Sequence, residues 1–220
     1  MTNAKAAGRV AGRVYLCVVG TGVFTLAYAP SRLVVEGDAA ATAAAISQNA
    51  ALFDASVYAG LAMCAFFLAL PFALSRFLSA YGKIAALLMI AFVVASLPPS
   101  LFALAQKFEI MRLFADGAAE PAAVAAHLAA YDRWMDVASV FWGLWLAPLG
   151  WLVLKSGAIP RILGLLLIAG CAGYLANYFG PILNEGYDAL PWRRWISKPG
   201  SIGEIGTCLW LVAMGARAPR

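Results

Sequence analysis

The sequence predicts an all-α fold, a polytopic membrane helical bundle with six transmembrane helices and both termini on the inner side. Composition is the first observation behind it. The 220 residues are 63% hydrophobic and 12% charged, with a mean hydropathy of +0.81, which lies outside the range of a soluble globular domain. The second observation is where the charges fall. When the apolar runs are read as spans, every second connecting segment carries Lys and Arg and no acid: Lys5, Arg9 and Arg13 before the first span, Arg76 and Lys83, Lys155 and Arg161, then Arg217 and Arg220 at the end. The positive-inside rule makes these segments cytoplasmic. At about 20 residues per span the bundle uses nearly the whole length, so a single transmembrane domain over 1–220 is expected. The net charge of +5 is then assigned to anionic lipid headgroups, and nucleic acid is not an expected partner.

The spans are placed at about 13–29, 51–74, 84–105, 136–154, 162–180 and 201–216, with outer loops 30–50, 106–135 and 181–200. The first resembles a secretory signal ending at Ala27-Tyr28-Ala29, but Pro30 directly after makes a poor cleavage site, so the segment is expected to stay as an anchor. In the first outer loop Asp38 is positioned to cap a helix leading into the second span. Short inner turns pair the second span with the third, and the fourth with the fifth, as antiparallel hairpins. Glu120-Pro121 marks a helix start, with Ala122 to Ala130 expected along the membrane surface. Pro160 starts the fifth span, and Arg161 anchors it in the headgroups. Tyr187, Trp192 and Trp195, with Arg193, Arg194 and Lys198, read as an interfacial belt.

Prolines interrupt three spans, at Pro71, Pro98-Pro99 and Pro148, each removing a donor and freeing a carbonyl one turn earlier. Ser96 and Ser100 flank the pair and are expected to satisfy a static kink. Gly164, Gly170 and Gly173 in the fifth span, Gly20 and Gly22 in the first and Gly203 and Gly206 in the last are read as small faces for close helix packing.

Chemistry is sought among acids inside spans, because a carboxylate there is costly unless paired or hydrated. Asp54, Asp136 and Glu204 each fall near the outer start of a span, where the unpaired N–H groups of a first helical turn also favour anions. Glu204 lies deepest, between Gly203 and Gly206. Tyr58, Tyr174 and Asn177 reach the same outer level from other helices. A pocket lined by Asp54, Tyr58, Tyr174, Asn177 and Glu204 is the candidate ligand site, and its carboxylates, phenols and amide suit a cation, an amine, a proton or a lipid headgroup. Enzyme templates mostly fail. His127 is the only histidine, which excludes haem bis-ligation and histidine-rich metal clusters. Cys17, Cys64, Cys171 and Cys208 have no CxxC spacing and read as small buried hydrophobes. No cofactor and no metal are expected, and no catalytic residue is assigned.

Several segments together resemble a family of bacterial six-span membrane proteins described as a domain of unknown function. They are Gly12-Arg13-Val14-Tyr15-Leu16; Gly37-Asp38 with Thr42 and Ile46 to Phe53; Ile159-Pro160-Arg161-Ile162-Leu163-Gly164; Gly170 with Gly173-Tyr174-Leu175; and Gly203-Glu204 with Trp210-Leu211. The resemblance implies a multi-pass protein of the bacterial plasma membrane and supplies no activity. It also implies a basic residue after Leu52-Phe53, where this chain has Asp54, and so places more weight on Glu204.

Three functions stay open. The first is a small-ligand-binding or transport-type bundle with an outward-opening polar pocket. The second is a non-catalytic partner subunit or membrane scaffold packed against another membrane protein or a second copy of the chain. The third is an intramembrane enzyme using Glu204 as a base. In all three the lipid bilayer is a partner.

Overall fold

Helices account for nearly all of the chain in the computed structural model, which describes residues 2–217. Arg220, one of the charges expected on the inner side, lies outside the described residues. Helix α1 (Thr2–Val23) runs through a π-turn at Phe24–Tyr28 into α2 (Ala29–Leu33), and α3 (Ala39–Gln48) leads into α4 (Ala50–Leu78). Then come α5 (Lys83–Ala115), α6 (Pro121–Leu144), α7 (Leu146–Ser156) and α8 (Arg161–Leu183), followed by the short α9 (Arg193–Ile196) and α10 (Lys198–Met214). No strand occurs among the described residues.

Five helical stretches are long and apolar enough to cross a membrane: Ala4–Leu33, Ala50–Tyr81, Lys83–Ala115, Pro121–Ser156 and Arg161–Leu183. The segment expected as a sixth span falls in α10, which has 17 residues. At 1.5 Å per residue it extends about 25 Å, less than the roughly 30 Å hydrocarbon core. Residues 106–115 and 121–135, placed by sequence in an outer loop, are helical, and the helix that begins at Pro121 continues unbroken to Leu144.

Local chemistry explains most boundaries. Asp38 caps α3 by accepting the Ala41 N–H at 2.8 Å, and Gly37 takes the positive φ of 75° that the preceding turn requires. Thr42 closes that turn, accepting from the Val35 N–H at 3.0 Å and donating to the Val35 carbonyl at 3.2 Å. The break between α6 and α7 at Trp145 follows from Pro148, whose ring would meet the carbonyl of Leu144 in a continuous helix. Pro98 and Pro99 leave α5 continuous, and the nearby Ser96 hydroxyl donates to the Val93 carbonyl at 2.7 Å.

The chain divides into two compact units: Met1–Cys17, Phe66–Leu97 and Val137–Arg220 form the first, Val18–Ala65 and Pro98–Asp136 the second. The first is centred on fully buried Tyr15, Leu70, Leu74, Trp145, Leu149 and Leu152, with the Phe67 and Trp145 rings meeting edge to face at 5.2 Å. Glycines set its helix spacing. A Cβ on Gly150 would sit 2.6 Å from the Gly164 carbonyl oxygen, and one on Gly164 would sit 2.8 Å from that of Gly150. A Cβ on Gly170 would collide with the Gly200 Cα, and one on Gly173 with the Ile196 carbonyl. On α1, a Cβ at Gly12 would lie 2.6 Å from the backbone nitrogen of Val212 in α10. Gly20 differs, having nothing within 4 Å. The second unit is built around Ala29, Leu33, Ala43, Ile46, Phe53, Val57, Ile110 and Val124.

Candidate functional site

The five residues singled out by sequence divide between the two units. In the first, Glu204 of α10 is half-buried and accepts a hydrogen bond from the Tyr15 hydroxyl of α1 at 3.2 Å. Tyr174 on α8 lies within electrostatic reach of that carboxylate, its ring seated where Gly200 has no side chain, 3.4 Å from the position a Cβ would take. Asn177, one turn along α8, accepts from the Tyr187 hydroxyl at 3.1 Å and donates to the Ser197 hydroxyl at 3.4 Å. Tyr187 is therefore a structural partner of Asn177, buried against Gly180 and edge-on to Trp192, while Trp192 and Trp195 are exposed. Asp54 and Tyr58 belong to α4 in the second unit, where Asp54 is half-buried and Tyr58 is exposed beside the Phe108 ring.

A cavity in the second unit has a volume of about 480 Å³ and is lined by none of these five. Leu26, Leu33, Ile46, Phe53, Leu128 and Met135 give it an apolar wall, and Ser31, Glu36, Ser56, Lys107, Tyr131 and Asp132 contribute polar atoms. Three features of the chain shape it. The π-turn and the segment that follows it carry Leu26, Pro30 and Ser31, which line the space, and such π segments often mark functional positions. The Asp38-capped α3 brings in Ile46. Thr25 donates to the Ser56 carbonyl at 2.8 Å, fixing the first helix against α4.

Lys107 is the residue that sets the chemistry of this cavity. It is 5% exposed and is the only charged side chain among the buried described residues. Its ammonium lies over the Tyr131 ring, 4.2 Å from the centroid, and Asp132 acts on its charge through space. Among the described residues no carboxylate lies within ion-pairing distance of it. A desolvated cation–π contact is worth about 2 kcal/mol, whereas removing an ion from water costs several. Lys107 Nζ is not among the buried polar atoms left without a partner, so the ammonium reaches the cavity space, where water or a negatively charged ligand group would offset the cost.

The sequence carries a signal for Lys107 that a span ending at Ala105 hides. Ser100, Ala103, Leu104, Lys107 and Ile110 are all buried, at the three-to-four spacing of one helix face. Lys107 stands where that periodicity calls for an apolar residue. His127, the sole histidine, is engaged with the Gln106 side chain at 2.9 Å. No cluster of His, Cys, Asp or Glu that could hold a metal ion occurs among the described residues.

No curated protein and no solved structure matches the chain. The family model DUF4386, a domain of unknown function, matches residues 10–215. That match takes in both units and every segment that carried the sequence resemblance, and the chain belongs to this family.

Proposed function

We propose that the chain is a small-ligand-binding or transport-type membrane protein, a six-span bundle of the bacterial plasma membrane with both termini inside, and that the Lys107 cavity is its ligand chamber. One observation carries the binding reading: a lysine 5% exposed within an apolar cavity of about 480 Å³, inside the range of small-molecule sites, about 300–1,000 Å³. An ionisable side chain with so little exposure that lines a cavity is a candidate functional group. The orientation is supported by the one-sided basic residues. It puts the opening on the outer side: Lys107 lies 24 residues beyond Lys83 (107 − 83), about 36 Å along α5 at 1.5 Å per residue. Asp54, Tyr58, Tyr174, Asn177 and Glu204 are outside the lining of this chamber, so the reading rests on Lys107.

Native mass spectrometry of the protein purified in a non-ionic detergent tests it. Wild type is expected to carry a bound small molecule that Lys107→Met has lost. Methionine keeps nearly the length of the side chain and removes the charge, and melting of Lys107→Met within about 2 °C of wild type separates loss of ligand from loss of fold. Equal occupancy in both proteins rejects the reading.

The orientation has its own test in a cysteine-free background. Asp116→Cys and Glu185→Cys, at exposed outer turns, are expected to react with an impermeant thiol reagent in intact cells. Ala80→Cys and Arg217→Cys should react only after lysis. Labelling of Arg217→Cys in intact cells would mean that α10 does not cross.

A further inference from the structure

We infer that the Lys107 chamber, if it is the ligand site proposed above, takes a zwitterionic single-chain amphiphile: an apolar tail, then an acidic group, then an ammonium. The chemistry of the cavity's lining and its graded burial carry this. Its wall is apolar through Leu26, Ile46, Phe53 and Leu128. The same lining holds one ammonium, that of Lys107, a residue 5% exposed. Two carboxylates, Glu36 and Asp132, also line the cavity, and both belong to exposed residues.

Charge decides between ligand classes. The three ionised groups sum to one negative charge (+1 − 1 − 1). A purely anionic headgroup would satisfy Lys107 but would meet two carboxylates of its own sign. A purely cationic one would satisfy the carboxylates and leave the buried ammonium worse off. A head that carries its acid next to the tail and its amine beyond pairs both signs, with the acid on Lys107 and the amine at the carboxylates. Depth agrees. On the proposed orientation Lys107 lies about 36 Å along α5 from the inner anchor, at the outer edge of a roughly 30 Å core. There a headgroup meets water and a chain meets hydrocarbon.

Three probes of equal chain length separate the possibilities, titrated into delipidated full-length protein in a non-ionic detergent and read by native mass spectrometry. They are lysophosphatidylethanolamine, lysophosphatidic acid, which lacks the amine, and the alkylamine. Lysophosphatidylethanolamine is expected to bind at least about tenfold more tightly than either of the others. Lys107→Met should reduce that binding at least about tenfold, and Asp132→Asn should narrow the preference over lysophosphatidic acid to below about threefold. If lysophosphatidic acid binds as well as or better than lysophosphatidylethanolamine in a Lys107-dependent way, the chamber binds a ligand but the zwitterion assignment is wrong. If no probe binds in a Lys107-dependent way while wild type still holds its native molecule, the amphiphile class is wrong. If wild type and Lys107→Met are alike in both experiments, the chamber itself is rejected.

Discussion

Gly170→Ala is expected to destabilise the protein by about 2–3 kcal/mol, the upper part of the range for overpacking. The reason is that the added methyl would meet the Cα of Gly200, an atom with no rotamer to change. Where α8 meets α10, one helix must translate to make room, and the fit of Gly203 against Leu167 then opens, since a Cβ on Gly203 would already lie 3.0 Å from the Leu167 nitrogen. Gly173→Ala, directed at the Ile196 carbonyl, should behave alike. Gly20→Ala is the matched control, because nothing lies within 4 Å of its added carbon, and alanine is the better helix former by about 1 kcal/mol. Melting followed by tryptophan fluorescence in detergent reads the difference. At about 2–4 °C per kcal/mol for a chain of this size, Gly170→Ala should melt roughly 4–12 °C lower and Gly20→Ala no lower than wild type. Equal melting of Gly170→Ala and wild type would show that the glycine contact does not hold these helices together.

The same contrast shows how much of the molecule is legible in its sequence. Gly164, Gly170 and Gly173 read as small packing faces and serve as such, Gly164 against α7 and Gly170 and Gly173 against α10 and α9, because small residues in one apolar helix have few other uses. Gly20 reads the same way and has no neighbour; composition marks a smooth face without saying whether a partner covers it. The helix starts that follow Asp38, Glu120 and Pro160 are legible because caps and prolines act within one turn. Lys107 is not, since its meaning depends on α5 continuing past Ala105 as far as Ala115, and hydropathy ends a span where polar residues begin. The segments that carry the family resemblance turn out to be those that meet. Gly12 and Tyr15 pack on Leu211 and Glu204, and Ile46 and Phe53 wall the Lys107 chamber.

Removing the Tyr15 hydroxyl or the Glu204 carboxylate alone is expected to cost about 1–3 kcal/mol, and removing both much less than the sum. Sequence marks Glu204 as the acid that topology explains least, and its geometry supplies an account. Tyr15 is 1% exposed, so without Glu204 its hydroxyl would lose its hydrogen bond at 3.2 Å in a place water does not reach. Glu204, half-buried on α10, would lose the donor that offsets its burial. Around the pair the helices are already close: the Cys208 thiol reaches the Gly12 carbonyl at 3.8 Å, and a Cβ on Gly12 would lie 2.7 Å from the Leu211 backbone. The bond thus fixes the register of α1 against α10, where apolar contact alone would allow sliding. A double-mutant cycle of Tyr15→Phe and Glu204→Ala, read by melting in detergent, should give a coupling of about 1–3 kcal/mol. Additive losses would mean that Glu204 is not retained for Tyr15. A ligand lost from Glu204→Gln and kept by Lys107→Met would then move the binding site from the second unit to the first.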